Sequence, residues 1–146
     1  VFSSASNAVV NYVRHYARSN FFSTSLAPAS VAAAQAAILK FSIDSSMQNK
    51  LWKNIELFKN LLENSKLKNF KCESPIVPIV VGNSLKLRQL TQFLDEQGIY
   101  VSAVEYTAVD KDQGRLGISL MSSHTRQQLV DVVEKIQQAF KLFNLG

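Results

Sequence analysis

Cysteine is nearly absent: Cys72 is the single one in 146 residues. An internal disulfide and a cysteine-based metal cluster are therefore excluded, and a reducing compartment is the expected setting. Histidine is almost as scarce. His15 and His124 stand far apart, a poor basis for a zinc site, so no metal site is expected. Long hydrophobic runs are missing too. The longest, Val31–Leu39, is interrupted by Gln35 and falls far short of a membrane span. Neither G-x-G-x-x-G nor a P-loop is present. The opening VFSSASNAVV has no Met and no basic n-region. It is not a signal peptide, and it reads as a cut point within a longer protein.

Charge of one sign is nowhere concentrated. Lys and Arg number 16 against 11 Asp and Glu, a net +5 spread along the chain. No helix carries an Arg/Lys stripe, which argues against a nucleic-acid partner.

What is present is a globular composition, 47% hydrophobic and 18% charged, with length for one domain, or one and a fragment. A helix is expected over residues 4–18, with Val9, Val13 and Tyr16 on one face. Asn20–Ser25 reads as an extended or irregular link. Pro28 suits the first turn of a helix, and Ala29–Phe41 is rich in alanine. Its small residues, Ala32, Ala33, Ala36 and Ala37, would let another backbone approach closely. Residues 46–63 carry a 3.6-residue stripe of Leu51, Ile55, Phe58 and Leu62, with Trp52 beside it. A polar, basic link follows at 64–69.

The pattern then changes. SPIVPIVVG (74–82) reads as a strand in which Pro78 favours an edge or a bulge. Ser84–Gln97 is an amphipathic helix stopped by Gly98. IYVSAV (99–104) and RLGISLM (115–121) read as strands around a polar loop, 105–114. The last helix opens on a capping box, Thr125 and Gln128, and buries Leu129, Val132, Val133, Ile136, Phe140 and Phe143. The order strand–helix–strand–strand–helix predicts helices on one face of a small, mostly antiparallel sheet, an α/β class with an α+β layout.

Chemistry is harder to read. Ser23, Thr24 and Ser25 have no neighbouring histidine, so a hydrolase triad is not indicated. On the residues alone they are either a cap for the Pro28 helix or ligands for something bound. Asp110 and Asp112 lack the further spacing of a calcium loop and read as a solvated turn. His124, just before Thr125, reads as a structural residue at the helix start.

Three segments in order carry a family resemblance. FFSTSLAPASVAAAQAAI resembles the F-S-T-[AS]-L-P-P-x-x-A-A-A segment of the α-oxoamine synthases, and the helix ahead of it fits as well. SPIVPIVVG with LDEQGIYVSAV, and then GRLGISLMSSHT, resemble that family's S-P-I-x-P, L-x-x-x-G and R-[LI]-R…H-T segments. The resemblance implies a pyridoxal-phosphate enzyme of the aminotransferase fold that condenses an amino acid with an acyl-coenzyme A. Members include 8-amino-7-oxononanoate synthase, 2-amino-3-ketobutyrate ligase, 5-aminolevulinate synthase and serine palmitoyltransferase, and a related branch makes α-hydroxyketone signals.

The resemblance further implies that the chain is a C-terminal portion. Residues 1–45 would be the end of the large domain with linking helices, and 46–146 the small C-terminal domain with a three-stranded sheet. The Schiff-base lysine would lie upstream, so no catalytic residue is expected in this segment, and Lys40 reads as a solvated helix residue. Ser23 and Thr24 would reach the phosphate of pyridoxal 5'-phosphate held by the other subunit of a homodimer. Thr107 and Arg115 would bind substrate. A cytoplasmic, 8-amino-7-oxononanoate synthase-like acyltransferase of biotin synthesis is the resulting expectation. Two departures stand out. The second Arg of R-[LI]-R, which grips the amino-acid carboxylate, is Gly117 here, and the family's loop Thr falls on Ala108, beside Thr107. They point to a divergent substrate or to a non-catalytic pseudoenzyme or interaction module. A stand-alone domain would show a closed surface around Phe21 and Phe22, whereas in a piece of the enzyme the first 45 residues would lose partners and either pack on another copy or expose apolar surface.

Overall fold

The computed structural model describes residues 4–65 and 67–145. The outer ends of the expected domains, residues 1 and 146, and Lys66 in the 64–69 link lie outside the described residues. The chain divides into two units, Val1–Asp44 and Ser45–Gly146.

The first unit holds α1 (Asn7–Tyr16), α2 (Arg18–Phe21) and α3 (Pro28–Ile43). The single helix expected over 4–18 is therefore broken. Ala17 takes an extended conformation, with ψ 112°, and its carbonyl accepts from Asn20 N and Phe21 N to open α2. Alanine is the best helix former, so nothing local in the sequence marks this break. The irregular link expected from Asn20 accordingly begins only after Phe21. None of the three helices contains a buried residue. Phe21 is 67% and Phe22 81% exposed, so this pair lies on an open rather than a closed surface.

The second unit runs α4 (Ser46–Glu63), β1 (Ile76–Gly82), α5 (Ser84–Glu96), β2 (Ser102–Val104), β3 (Gly114–Ser119) and α6 (Arg126–Leu142). The three strands pair antiparallel in the order β1-β3-β2. Alternation sorts their side chains. Val77 and Ile79 of β1, with their register partners Ile118 and Leu116 of β3, are buried. Pro78, Val80, Arg115 and Gly117 take the opposite, half-buried face.

The inner face shares one core with Ile55, Phe58 and Leu62 of α4, Leu87, Leu90 and Leu94 of α5, and Leu129, Val133 and Ile136 of α6. All three helices thus lie on one side of the sheet. Phe58 is fully buried, a side chain whose removal from water stabilises the fold by about 1.5–3 kcal/mol.

Pro78 sits on an edge strand, where its missing N–H breaks no sheet ladder. Its carbonyl accepts from Lys71 N at 3.2 Å, and Val80 N donates to Asn69 O at 2.9 Å, so part of that edge is covered. The register shift lies farther along, between Val80 and Gly82, where Gly82 takes φ +84°. The Asn83 side chain accepts from Lys86 N to cap α5, and the helix is followed by Gly98 at φ +75°. The capping box of α6 is formed: Gln128 N donates to Thr125 Oγ1 and Thr125 N to Gln128 Oε1. The strand expected over 99–104 is shorter, because β2 pairs with β3 only from Ser102.

Candidate cofactor and substrate site

Ser23 and Thr24 follow α2 on an exposed turn. Asn20 locks it: its carbonyl accepts from Ser23 N at 3.3 Å and from Ser23 Oγ at 2.8 Å. Its side chain donates back to Arg14 O at 3.1 Å, tying the turn to α1. The cap position of α3 is Ala27, which offers no side-chain hydrogen bond. The three hydroxyls therefore do not cap the Pro28 helix. Thr24 and Ser25 make no hydrogen bond among the described residues, and both residues are exposed. Such a group can donate to a phosphate oxygen without giving up a partner, whereas Ser23 must first turn its proton away from Asn20 O.

Thr107 and Arg115 belong to the second unit. Val104, the last residue of β2, pairs in register with Arg115, and Thr107 follows three residues later. Both therefore sit at one end of the sheet. Thr107 is exposed on a turn closed by Ala108 N (2.9 Å) and Val109 N (3.2 Å), which both donate to Glu105 O. Arg115 Nε donates to Gln113 O at 3.0 Å, and Arg115 makes no ion pair among the described residues. Its terminal nitrogens remain available for a carboxylate, the geometry that favours arginine over lysine.

Gly117 lies on the same face, between Pro78 and Ser102. A Cβ built there would meet Ser102 O at 3.6 Å, Ser102 Cβ at 3.7 Å and Val104 Cγ2 at 3.7 Å, ordinary contacts. Its φ is not positive. The backbone does not require glycine at this position, and a Cβ would fit without displacement.

Sequence reasoning missed one feature of this region. Arg88 of α5 grips Glu105 with Nε–Oε1 at 2.9 Å, Nε–Oε2 at 3.2 Å and Nη2–Oε2 at 2.8 Å. These hydrogen bonds hold the Glu105 carboxyl below its ordinary value, and the guanidinium is raised in return. The two residues are separated by 17 positions with no motif between them, so only the fold brings them together. Beside this turn, Lys111 Nζ sits 5.5 Å from the Tyr106 ring centroid.

Other candidates have structural roles. His124 Nδ1 accepts from Met121 N at 3.2 Å at the start of α6. Cys72 is buried, and burial pushes its thiol up, away from the reactive thiolate. Lys40 is an exposed residue of α3. Among the described residues no cluster of three His, Cys, Asp or Glu could hold a metal, and no helix is long and apolar enough to cross a membrane. A groove of about 730 Å³ between β2, β3 and α6 is lined by Val101, Ser102, Ile118, His124 and Val132. Neither Thr107 nor Arg115 lines it.

Residues 1–136 match the family model described as aminotransferase class I and II. The serine palmitoyltransferase of Bacteriovorax stolpii is 34% identical over 97% of this chain and 34% of its own length. That of Sphingobacterium spiritivorum is 38% identical over 91% of this chain and 33% of its own. The 8-amino-7-oxononanoate synthase 1 of Bacillus velezensis is 32% identical over 99% and 37%. Among solved structures, a serine palmitoyltransferase from S. paucimobilis with bound PLP–myriocin aldimine is similar at TM-score 0.83 and 25% identity, over 92% of this chain and 34% of that one. The 8-amino-7-oxononanoate synthase of Francisella tularensis is similar at 0.78 and 26%, over 96% and 41%. The chain spans about a third of the length of the curated relatives it matches.

Proposed function

This chain belongs to the aminotransferase class I and II family, and we propose that it is the C-terminal part of a pyridoxal-phosphate-dependent acyltransferase that condenses an amino acid with an acyl-coenzyme A. Its relatives include serine palmitoyltransferases and 8-amino-7-oxononanoate synthases, both α-oxoamine synthases. In this reading residues 1–45 close the large domain and 46–146 form the small domain. The whole enzyme is a cytoplasmic homodimer with a shared site, and its product is an α-oxoamine of the 8-amino-7-oxononanoate type.

The observation that carries the reading is the state of the hydroxyl turn. Ser23 and Thr24, which the family resemblance sets at phosphate-binding positions, leave the α3 cap to Ala27, and Thr24 has no competing partner among the described residues. Two short hydroxyls on a turn braced by Asn20 suit a phosphate group. Pyridoxal phosphate, when bound, would supply the electron sink for the condensation. This segment contributes phosphate contacts through Ser23 and Thr24. Arg115 offers a guanidinium to the amino-acid carboxylate, and Thr107 a hydroxyl nearby.

The test uses the full-length protein that contains this segment. Titration with pyridoxal phosphate should develop the visible absorbance of the bound cofactor. Coenzyme A release should then depend on an amino acid together with an acyl-coenzyme A. Serine with palmitoyl-coenzyme A, run against the substrates of 8-amino-7-oxononanoate synthesis, separates the two relatives' activities. Absence of any cofactor binding overturns the reading.

Gly117 favours a second reading, a pseudoenzyme subunit. The fold admits a Cβ there, yet the arginine that the family resemblance expects is missing. An inactive wild type that binds the cofactor, and that gains condensation in Gly117→Arg, would establish it.

A further inference from the structure

We propose that Arg88 and Glu105 are positioning residues: their ion pair holds the Thr107 turn in the conformation that receives the amino-acid substrate. This rests on the reading of Thr107 and Arg115 as substrate contacts.

Glu105 is the pivot of the turn. It is the first residue beyond β2, and its carbonyl accepts from both Ala108 N and Val109 N. Its side chain is only 19% exposed and is directed to α5 rather than to solvent. There Arg88 binds both carboxylate oxygens through two nitrogens. One residue thus closes the turn with its backbone and ties it to a helix with its side chain.

That helix is a firm anchor. Leu87, Leu90 and Leu94 are fully buried on its inner face, and Asn83 caps its first turn. Arg88 itself is 72% exposed. An ion pair that open contributes little to global stability, but two-point geometry fixes orientation. β2 is only three residues long and lends little register of its own to the turn beyond it.

The far end of the same connection is held by a second arginine. Arg115 Nε donates to Gln113 O, and Gln113 N donates to Asp110 O at 3.0 Å. The segment 105–113 is therefore pinned at one end by Arg88 and at the other by Arg115, with Thr107 between them. Loss of the Arg88–Glu105 pair should loosen the turn without disturbing the core.

Arg88→Met, Glu105→Gln and the double variant are made in the full-length protein. Hydrogen exchange is followed at the Ala108 and Val109 amides, and amino-acid KM and kcat are measured beside the melting temperature. The expected result is faster exchange confined to this turn and a KM raised about fivefold, the size typical of one broken polar coupling. kcat and melting temperature should hold. The double variant should be no worse than either single one, because both remove the same pair. Lys59→Met and Glu63→Gln, which break a surface pair on α4, should leave turn and KM unchanged. Unchanged exchange in both single variants overturns the proposal, as do additive effects or a loss of protection across the whole domain. If the wild type uses no amino acid, the functional reading fails separately, and turn exchange alone decides whether the pair holds the turn.

Discussion

Asn54 of α4 donates through Nδ2 to the carbonyl of His124 at 3.1 Å, joining two elements 70 residues apart. The same nitrogen reaches Met121 O at 2.9 Å. Asn54 is the one buried polar residue among those described, and it holds the turn that starts α6 against α4. Replacing it with Ala strands two carbonyls and should cost about 1–3 kcal/mol in a urea unfolding titration. Asn54→Asp should be worse at neutral pH, because a carboxylate faces two carbonyl oxygens and cannot donate. Its folded pKa would be raised, so this extra penalty should fade as pH falls and the acid regains a proton. An Asp variant as stable as wild type at neutral pH would show that the two hydrogen bonds carry nothing.

The sheet glycines should behave oppositely. A Cβ on Gly117 meets only ordinary contacts, so Gly117→Ala should change stability by no more than about 0.5 kcal/mol. A Cβ on Gly114 would lie 2.9 Å from Gly82 O, a backbone atom at the bulge. Gly114→Ala should therefore destabilise by about 1–3 kcal/mol. Thermal unfolding of the two variants side by side checks the contrast.

The Arg88–Glu105 pair has a definite pH sense. Hydrogen bonding from Arg88 lowers the folded carboxyl's pKa, so the ordering it confers is present above the unfolded value and is lost as pH falls through the folded one. Exchange at the Ala108 and Val109 amides, corrected for intrinsic rates, should lose protection on acidification below the usual carboxylate range. Glu105→Gln should remove that dependence. A turn whose protection is the same in both proteins at every pH would contradict it.

Residues up to Asp44 should be cut first by protease in this segment. No residue of α1, α2 or α3 is buried, whereas Ser45–Gly146 has a continuous core. Limited digestion followed by mass spectrometry should yield a resistant product beginning near Ser45. Early cleavage inside α4, α5 or α6 would show that the core does not hold by itself.

Much of the second unit is legible in the sequence. The α4 stripe, the Pro78 edge strand, the Ser84–Gln97 helix stopped by Gly98 and the Thr125–Gln128 box are each written in a few neighbouring residues. That Arg115 and Gly117 share a face also follows from the sequence, because alternation along a strand is local. The site's residues came instead from a family pattern, which names positions but says nothing of what holds them.

Sequence alone determined which stretches could be helix or strand, and which side of each would seek the core, since capping and periodicity act over a few residues. Tertiary structure decided the rest. It shortened the strand at Ser102, where pairing with β3 begins. It also set Arg88 on Glu105 and Asn54 on His124, pairs that exist only after distant elements pack. A strand ends where its partner departs, and a long-range hydrogen bond needs both ends in place. Neither condition is written in the residues on one side alone.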